Sequence, residues 1–204
     1  MQQTDTQPLT LGDELERWLD GEGEKTLGSL VEAFGEKSFA ILFVFLLGVP
    51  ALPLPTGGAT HVLLVIAMLI ALEVIAGRHE VWLPERWRGL SLAGEKQQRF
   101  LASLTRFVHR MQRFSRPRLA FLFGYRLTDV VFGLLVIGGS VAAFVAPPFT
   151  GLDTLPALGV VVLSLAVLFE DALLAAGGVI MLIVGVVLEI ALGAAAIHGV
   201  SSLL

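Results

Sequence analysis

LLGVPALPLPTGGATHVLLVIAMLIALE, residues Leu46–Glu73, decides how the rest of the chain is read. One apolar run leads into Pro50, Pro53 and Pro55, and then into Thr56, Gly57 and Gly58. Thr60 and His61 open a second apolar run that ends on the single acid Glu73. Proline removes a backbone donor and locks φ, so the middle cannot be regular helix. Glycine supplies the dihedrals of a sharp reversal. Two apolar helices joined by a broken segment are therefore predicted. The arrangement recurs in Val145–Asp171, VAPPFTGLDTLPALGVVVLSLAVLFED. With Pro53 set on Pro147, Thr56 falls on Thr150, Gly57 on Gly151 and Thr60 on Thr154. These are residue types that shape a backbone, and their coincidence at one offset reads as an internal repeat.

Composition points the same way. Mean hydropathy is +0.79, and only 16% of the 204 residues are charged, against about 25% in a soluble domain. The apolar residues fall in long blocks, as membrane spans require, and a soluble helical protein with an oversized core fits less well. With no cysteine, disulfides and thiolate metal sites are excluded. The opening QQTDTQPLTLGDELE is polar and acidic, without the basic-then-apolar pattern of a cleaved signal. Charge is segregated along the chain. Residues 1–37 hold nine acids against Arg17, Lys25 and Lys37, while the other eleven basic residues all lie between Arg78 and Arg126.

Five regions follow. Residues 1–38 carry two short amphipathic helices, Thr10–Leu19 with Thr10 as N-cap, and Thr26–Lys37. Residues 39–77 form the first hairpin, with helices at Phe39–Leu52 and Thr60–Ala76. At 1.5 Å per residue the second helix covers about 25 Å, near the lower limit for a hydrocarbon core of about 30 Å. Either these helices cross thinly or they form a re-entrant hairpin. Residues 78–126 are a basic connector. Trp82 and Trp87 suit the headgroup level, and Lys96–Phe114 reads as an amphipathic helix with Arg99, Arg106, Arg110 and Arg113 opposite its apolar side. Those arginines are candidates for lipid or partner contact, a positive-inside loop being the plainer reading; nucleic acid is not expected. Residues 127–171 form the second hairpin, with helices at Leu127–Ala146 and Leu155–Phe169, and residues 172–204 a last helix. The fold class expected is all-α: a polytopic integral membrane protein with two repeated Pro/Gly-broken hairpins and a basic amphipathic connector. A cytoplasmic connector makes the repeats parallel, about an axis along the membrane normal.

Ionisable groups within apolar runs are costly and mark candidate function. Glu189 is the deepest by sequence, a candidate protonatable or cation-binding acid. Asp153 opens a helix, where it serves as a cap, as an ion contact, or as both. Glu73 is an interfacial acid or part of the same pathway, and Glu170 and Asp171 suit a cap or salt bridge at the membrane surface. His61, alone at a helix start, suits a hydrogen-bonded structural role. Helix ends beside an unwound turn expose free N–H and C=O groups next to threonine hydroxyls, which is how broken helices hold substrates. The candidate pathway therefore comprises Pro53, Thr56, Gly57, Thr60, Glu73, Pro147, Thr150, Gly151, Asp153, Thr154 and Glu189. No His/Asp/Glu set has metal-ligand spacing, and neither a phosphate loop nor a nucleophile elbow is present. Neither a metal, a cofactor nor an enzymatic reaction is expected.

The LGDELERW opening, the LPLPTGG turn, the EVIAGRHEVWLPERW segment, the R-P-R element at Arg116–Arg118 and the TGLDTLPALGVVVLSLAVLFEDALL block occur together. In this combination the chain resembles the ExoD-type exopolysaccharide synthesis family over nearly its whole length. The two turns differ, with Gly58 and Ala59 standing where the second repeat has Leu152 and Asp153. The resemblance implies a multi-pass protein of the bacterial inner membrane, with a loose link to ion or pH tolerance and no agreed reaction. Transport or exchange of an ion or small solute is the function expected. The alternative is a non-transporting scaffold or regulator of exopolysaccharide assembly. Expected partners are membrane lipids, a second copy in a homodimer, and exopolysaccharide assembly components.

Overall fold

A computed structural model describes residues 11–51, 59–78, 80–89, 91, 102–103, 105–106, 108–110, 119–146 and 152–201. In chain order its helices are α1 (Leu11–Asp20), α2 (Leu27–Phe34), α3 (Ser38–Gly48), α4 (Ala59–Ala76), the single turn α5 (Glu85–Arg88), α6 (Arg126–Val145), α7 (Thr154–Phe169) and α8 (Ala172–Ser201). Residues 102–103, 105–106 and 108–110 of the connector are also helical. Nothing beyond an isolated bridge is extended pairing among the described residues, so the fold is all-helical. Two compact units form: Met1–Gly35 with Leu83–Arg116, and Glu36–Trp82 with Pro117–Leu204.

In the first unit, Thr26 and Ser29 close a reciprocal capping box at the start of α2, each backbone N–H donating to the other side chain at 3.1 Å. The expected continuation of this helix to Lys37 does not occur. Gly35 adopts φ +51 and ends it at Phe34. Lys25 Nζ donates to the carbonyls of Trp18 and, at 2.6 Å, Gly21, satisfying orphan acceptors at the end of α1. Trp18 meets Phe34 edge-on at 6.4 Å, and Arg88 pairs with Glu32 at 2.7 Å.

The second unit is built around α3. Phe39 to Val44, Leu46 and Leu47 are all buried, so α3 has no polar side, as expected of a helix covered all round. It stops at Gly48, not at the expected Leu52. Val49 keeps helical dihedrals (φ −71, ψ −51), and Pro50, which has no N–H to donate, interrupts the helical hydrogen bonding there. α3 packs on α4 and α7, α4 on α6, α6 on α7, and α8 chiefly on α7.

Close approach depends on glycine. A Cβ on Gly159 would stand 2.7 Å from the Leu182 nitrogen, one on Gly178 would stand 2.8 Å from the Leu163 nitrogen, and one on Gly185 would stand 2.8 Å from Pro156. These pairs run in opposite order along the two helices, so α7 and α8 are antiparallel. On the other side, Gly133 faces Ala71 and Ile75, and His61 meets Phe144, so α4 and α6 are antiparallel too.

The exterior of this unit is apolar. Val62, Val65, Leu69 and Leu72 form an exposed stripe on α4, Leu127, Val131 and Leu134 another on α6, and Ile180, Ile183, Val187 and Ile190 a third on α8. Faces this large and apolar call for a non-aqueous neighbour. Arg126–Val145 and Ala172–Ala195 are long and apolar enough to cross a membrane, and together with the stripes they mark the protein as membrane-associated. α3, α4 and α7 offer shorter apolar segments.

Candidate functional site

Glycine contacts set the level of each side chain in the second unit. Gly185 lies against Pro156. One further turn of α8 therefore carries Glu189 to the level of Asp153 and Thr154, where α7 begins. Gly139 of α6 faces Val160 and Leu182, so the next turn of α6, with Phe144, approaches the same level. There the Phe144 ring meets the His61 imidazole edge-on, centroids 4.9 Å apart. Three helices, α4, α7 and α8, thus bring His61, Thr154, Asp153 and Glu189 to one end of the unit, with Phe144 of α6 beside His61. The linkers leave from this end, between Gly48 and Ala59 and between Val145 and Thr154.

The polar atoms at this end are short of partners. Among the described residues, His61 Nδ1, Thr154 Oγ1 and Glu189 Oε1 are buried without a hydrogen bond, as is Ser140 Oγ lower on α6. A buried acceptor or donor left unmade costs about 1–3 kcal/mol. Three such atoms, one each from α4, α7 and α8, lie at this end of an otherwise apolar bundle. Asp153 occupies the N-cap position of α7 with φ −62, yet its side chain makes no cap hydrogen bond. The cap role considered for it is not taken. A hydrogen-bonded role is expected of His61; its Nδ1 instead has no partner, and its ring packs edge-on against Phe144. Thr60, next along α4, is buried.

The opposite end has different chemistry. Glu73 lies in the last turn of α4, away from Asp153 and Glu189, and its Oε2 accepts the Trp82 backbone N–H at 2.8 Å. It anchors the chain leaving α4. Asp171, 3% exposed, caps α8 by accepting from the N–H groups of Leu173 at 3.0 Å and Leu174 at 3.5 Å. Arg126 donates to the Val74 carbonyl at 2.8 Å and also to that of Ile75, closing the end of α4. Beside these groups opens a cavity of about 490 Å³ that gathers four helix ends, with Lys37, Arg78, Arg126, Asp129 and Glu170 on its polar side.

Pro53, Thr56, Gly57, Pro147, Thr150 and Gly151, and with them Arg99 and Arg113, lie outside the described residues. Arg106 and Arg110 are described and exposed; Arg106 Nε donates to the Ala102 carbonyl at 3.2 Å and its Nη2 to Ser103 Oγ at 3.3 Å. In the first unit, tertiary structure assembles a set that spacing did not reveal. Ligand atoms of Asp13, Glu16 and His109 lie within 4.8 Å of one another. His109 Nε2 is 3.5 Å from Glu16 Oε2, and its ring packs where a Cβ on Gly12 would stand 2.6 Å away. A partly exposed His–Glu pair against a glycine accounts for this contact.

A family model described as exopolysaccharide synthesis, ExoD, matches residues 11–191. Protein ExoD of Rhizobium meliloti is 31% identical over 172 residues, covering 84% of this chain and 71% of its own length. An uncharacterized protein of Synechocystis is 30% identical over 154 residues, covering 75% of this chain and 72% of its own. No solved structure matches.

Proposed function

Since the chain belongs to the exopolysaccharide synthesis, ExoD family, we propose that it is a multi-pass membrane protein of exopolysaccharide production that transports or exchanges an ion or small solute. The pathway is the polar end of the helical unit, with Glu189, Asp153, Thr154 and His61 as its lining. One observation carries this reading: buried polar atoms without a hydrogen bond, one from each of three helices, lie at the same end of the unit. A bound cation or proton gives a carboxylate and a hydroxyl the partner that the protein withholds, and half-helix ends add free backbone groups. The packing supports repeats of parallel sense, because α3 pairs with α7 as α4 pairs with α6. α3 has eleven residues, about 16 Å of rise, which favours a re-entrant first hairpin. The eleven basic residues between Arg78 and Arg126 support a reading with the connector in the cytoplasm and the protein in a bacterial inner membrane. Nothing in this chemistry calls for a covalent step, so the protein is not read as an enzyme. Exposed apolar residues along α8 suit a second copy.

The test is flux across proteoliposomes holding the purified chain, with proton- and cation-sensitive dyes. Glu189→Gln and Asp153→Asn should lose most of the flux while thermal stability is kept. Unchanged flux of every ion tested would sink the proposal. The scaffold alternative rests on exposed Arg106 and Arg110. Neutralising both should then abolish co-purification of lipid or assembly partners and leave helicity unchanged.

A further inference from the structure

The cavity at the end away from the polar lining has two kinds of wall. Phe39, Phe123 and Phe132 give it an aromatic side. Lys37, Arg78 and Arg126 bring cations from three separate helix ends to its rim, against the carboxylates of Asp129 and Glu170. Arg126 is held in place by the Val74 and Ile75 carbonyls, and a guanidinium with five N–H donors is not exhausted by two acceptors. Arg78 is exposed, a long cation free to close over a ligand. The volume of about 490 Å³ falls within the roughly 300–1,000 Å³ of small-molecule sites. Exposed apolar side chains also lie on the helix ends that form it: Leu72 on α4 and Leu127 on α6 are 53% and 72% exposed.

A compact anion with apolar chains satisfies both walls at once. We infer that the cavity binds an anionic phospholipid with a hydroxylated headgroup, such as phosphatidylglycerol. Its phosphate lies among Lys37, Arg78 and Arg126, as charge-assisted hydrogen bonding favours. Its headgroup hydroxyls donate to Asp129 or Glu170, and the first carbons of its chains lie on the phenylalanines. A zwitterionic choline headgroup has no hydroxyl to donate and brings a cation to a rim already cationic. The inference stands apart from the transport reading and uses none of the residues assigned to it.

Full-length protein in a neutral detergent is titrated with dioctanoyl phosphatidylglycerol, dioctanoyl phosphatidylcholine and glycerol phosphate, and binding is read by thermal shift and native mass spectrometry. Phosphatidylglycerol should bind and raise Tm, whereas phosphatidylcholine and glycerol phosphate should do so at least about tenfold more weakly. Lys37→Ala with Arg78→Ala should weaken phosphatidylglycerol about tenfold or more, the loss expected for a charge-assisted contact. The single Arg78→Gln change, on an exposed side chain, should weaken it in the same direction and covers failure of the double variant to fold. Equal binding of phosphatidylcholine would overturn the inference. So would equal binding of glycerol phosphate, which would assign the rim to free phosphates, or undiminished phosphatidylglycerol binding by Arg78→Gln.

Discussion

Arg126 Nη1 donates to the Val74 carbonyl oxygen at 2.8 Å, joining the first residue of α6 to the last turn of α4 across 51 intervening residues of connector and turn. The same guanidinium reaches Ile75, and it lies over Gly77, whose φ of +84 turns the chain out of the helix. A Cβ on Gly77 would stand 2.8 Å from Arg126 Nη2. One side chain therefore caps a helix, holds a turn and fixes where the second hairpin begins.

Replacing Arg126 by alanine should cost about 1–2 kcal/mol, the charge-assisted value reduced for an exposed group. Arg126→Lys should recover only part, because a single ammonium lacks the planar fork that meets two carbonyls together. Gly77→Ala should destabilise as well, through both its dihedral and its clash. Unfolding in mixed micelles followed by circular dichroism reads all three.

Neighbouring glycines on α8 should respond in opposite directions. Gly178→Ala drives a methyl group to 2.8 Å from the Leu163 nitrogen and 3.0 Å from the Gly159 oxygen, so an overpacking cost of about 1–3 kcal/mol is expected. Gly177 meets nothing within 4 Å, and Gly177→Ala should gain up to about 1 kcal/mol from helix propensity. The difference in unfolding midpoint between the two variants is the measurement.

Asp171→Ala should lower stability by about 1 kcal/mol, the usual loss of a helix N-cap. Asp171→Asn should keep most of it, because an amide oxygen still accepts from Leu173 and Leu174. If the two variants melt alike, the carboxylate is not acting as a cap.

Glu73→Ala should free the segment that follows α4. Hydrogen exchange at the Trp82 amide should accelerate, while Glu73→Gln, which retains an acceptor, should change it far less. Proteoliposome flux should be untouched by Glu73→Gln, since Glu73 stands at the opposite end of α4 from His61. Loss of flux would return Glu73 to the pathway.

Much was legible in the chain because helices announce themselves locally. The apolar blocks and the prolines at 50, 53 and 55 are near-neighbour effects, and the observed helices start or end within a few residues of where they are expected. Glu189 also stood out, since a lone acid in a long apolar run is visible without any partner. His61 and Ser140 did not, because whether a polar atom is buried without a partner depends on what three other helices place around it. The Asp13, Glu16 and His109 set was invisible for the same reason: His109 lies far in sequence from the other two. Arg126 looked like one more basic residue of the connector.

That this protein is helical and strongly apolar could be read from the residues alone, because backbone propensity and hydrophobicity are properties of single residues and their neighbours. It took the packed helices to show that Glu73 anchors a loop, that Asp171 caps a helix, and that Glu189, Thr154 and His61 share one end of the unit. Those assignments depend on helix register. The register is set by contacts such as Gly159 on Leu182 and Gly185 on Pro156, where a missing side chain lets two backbones meet, and a missing side chain has no signature until its neighbour is in place.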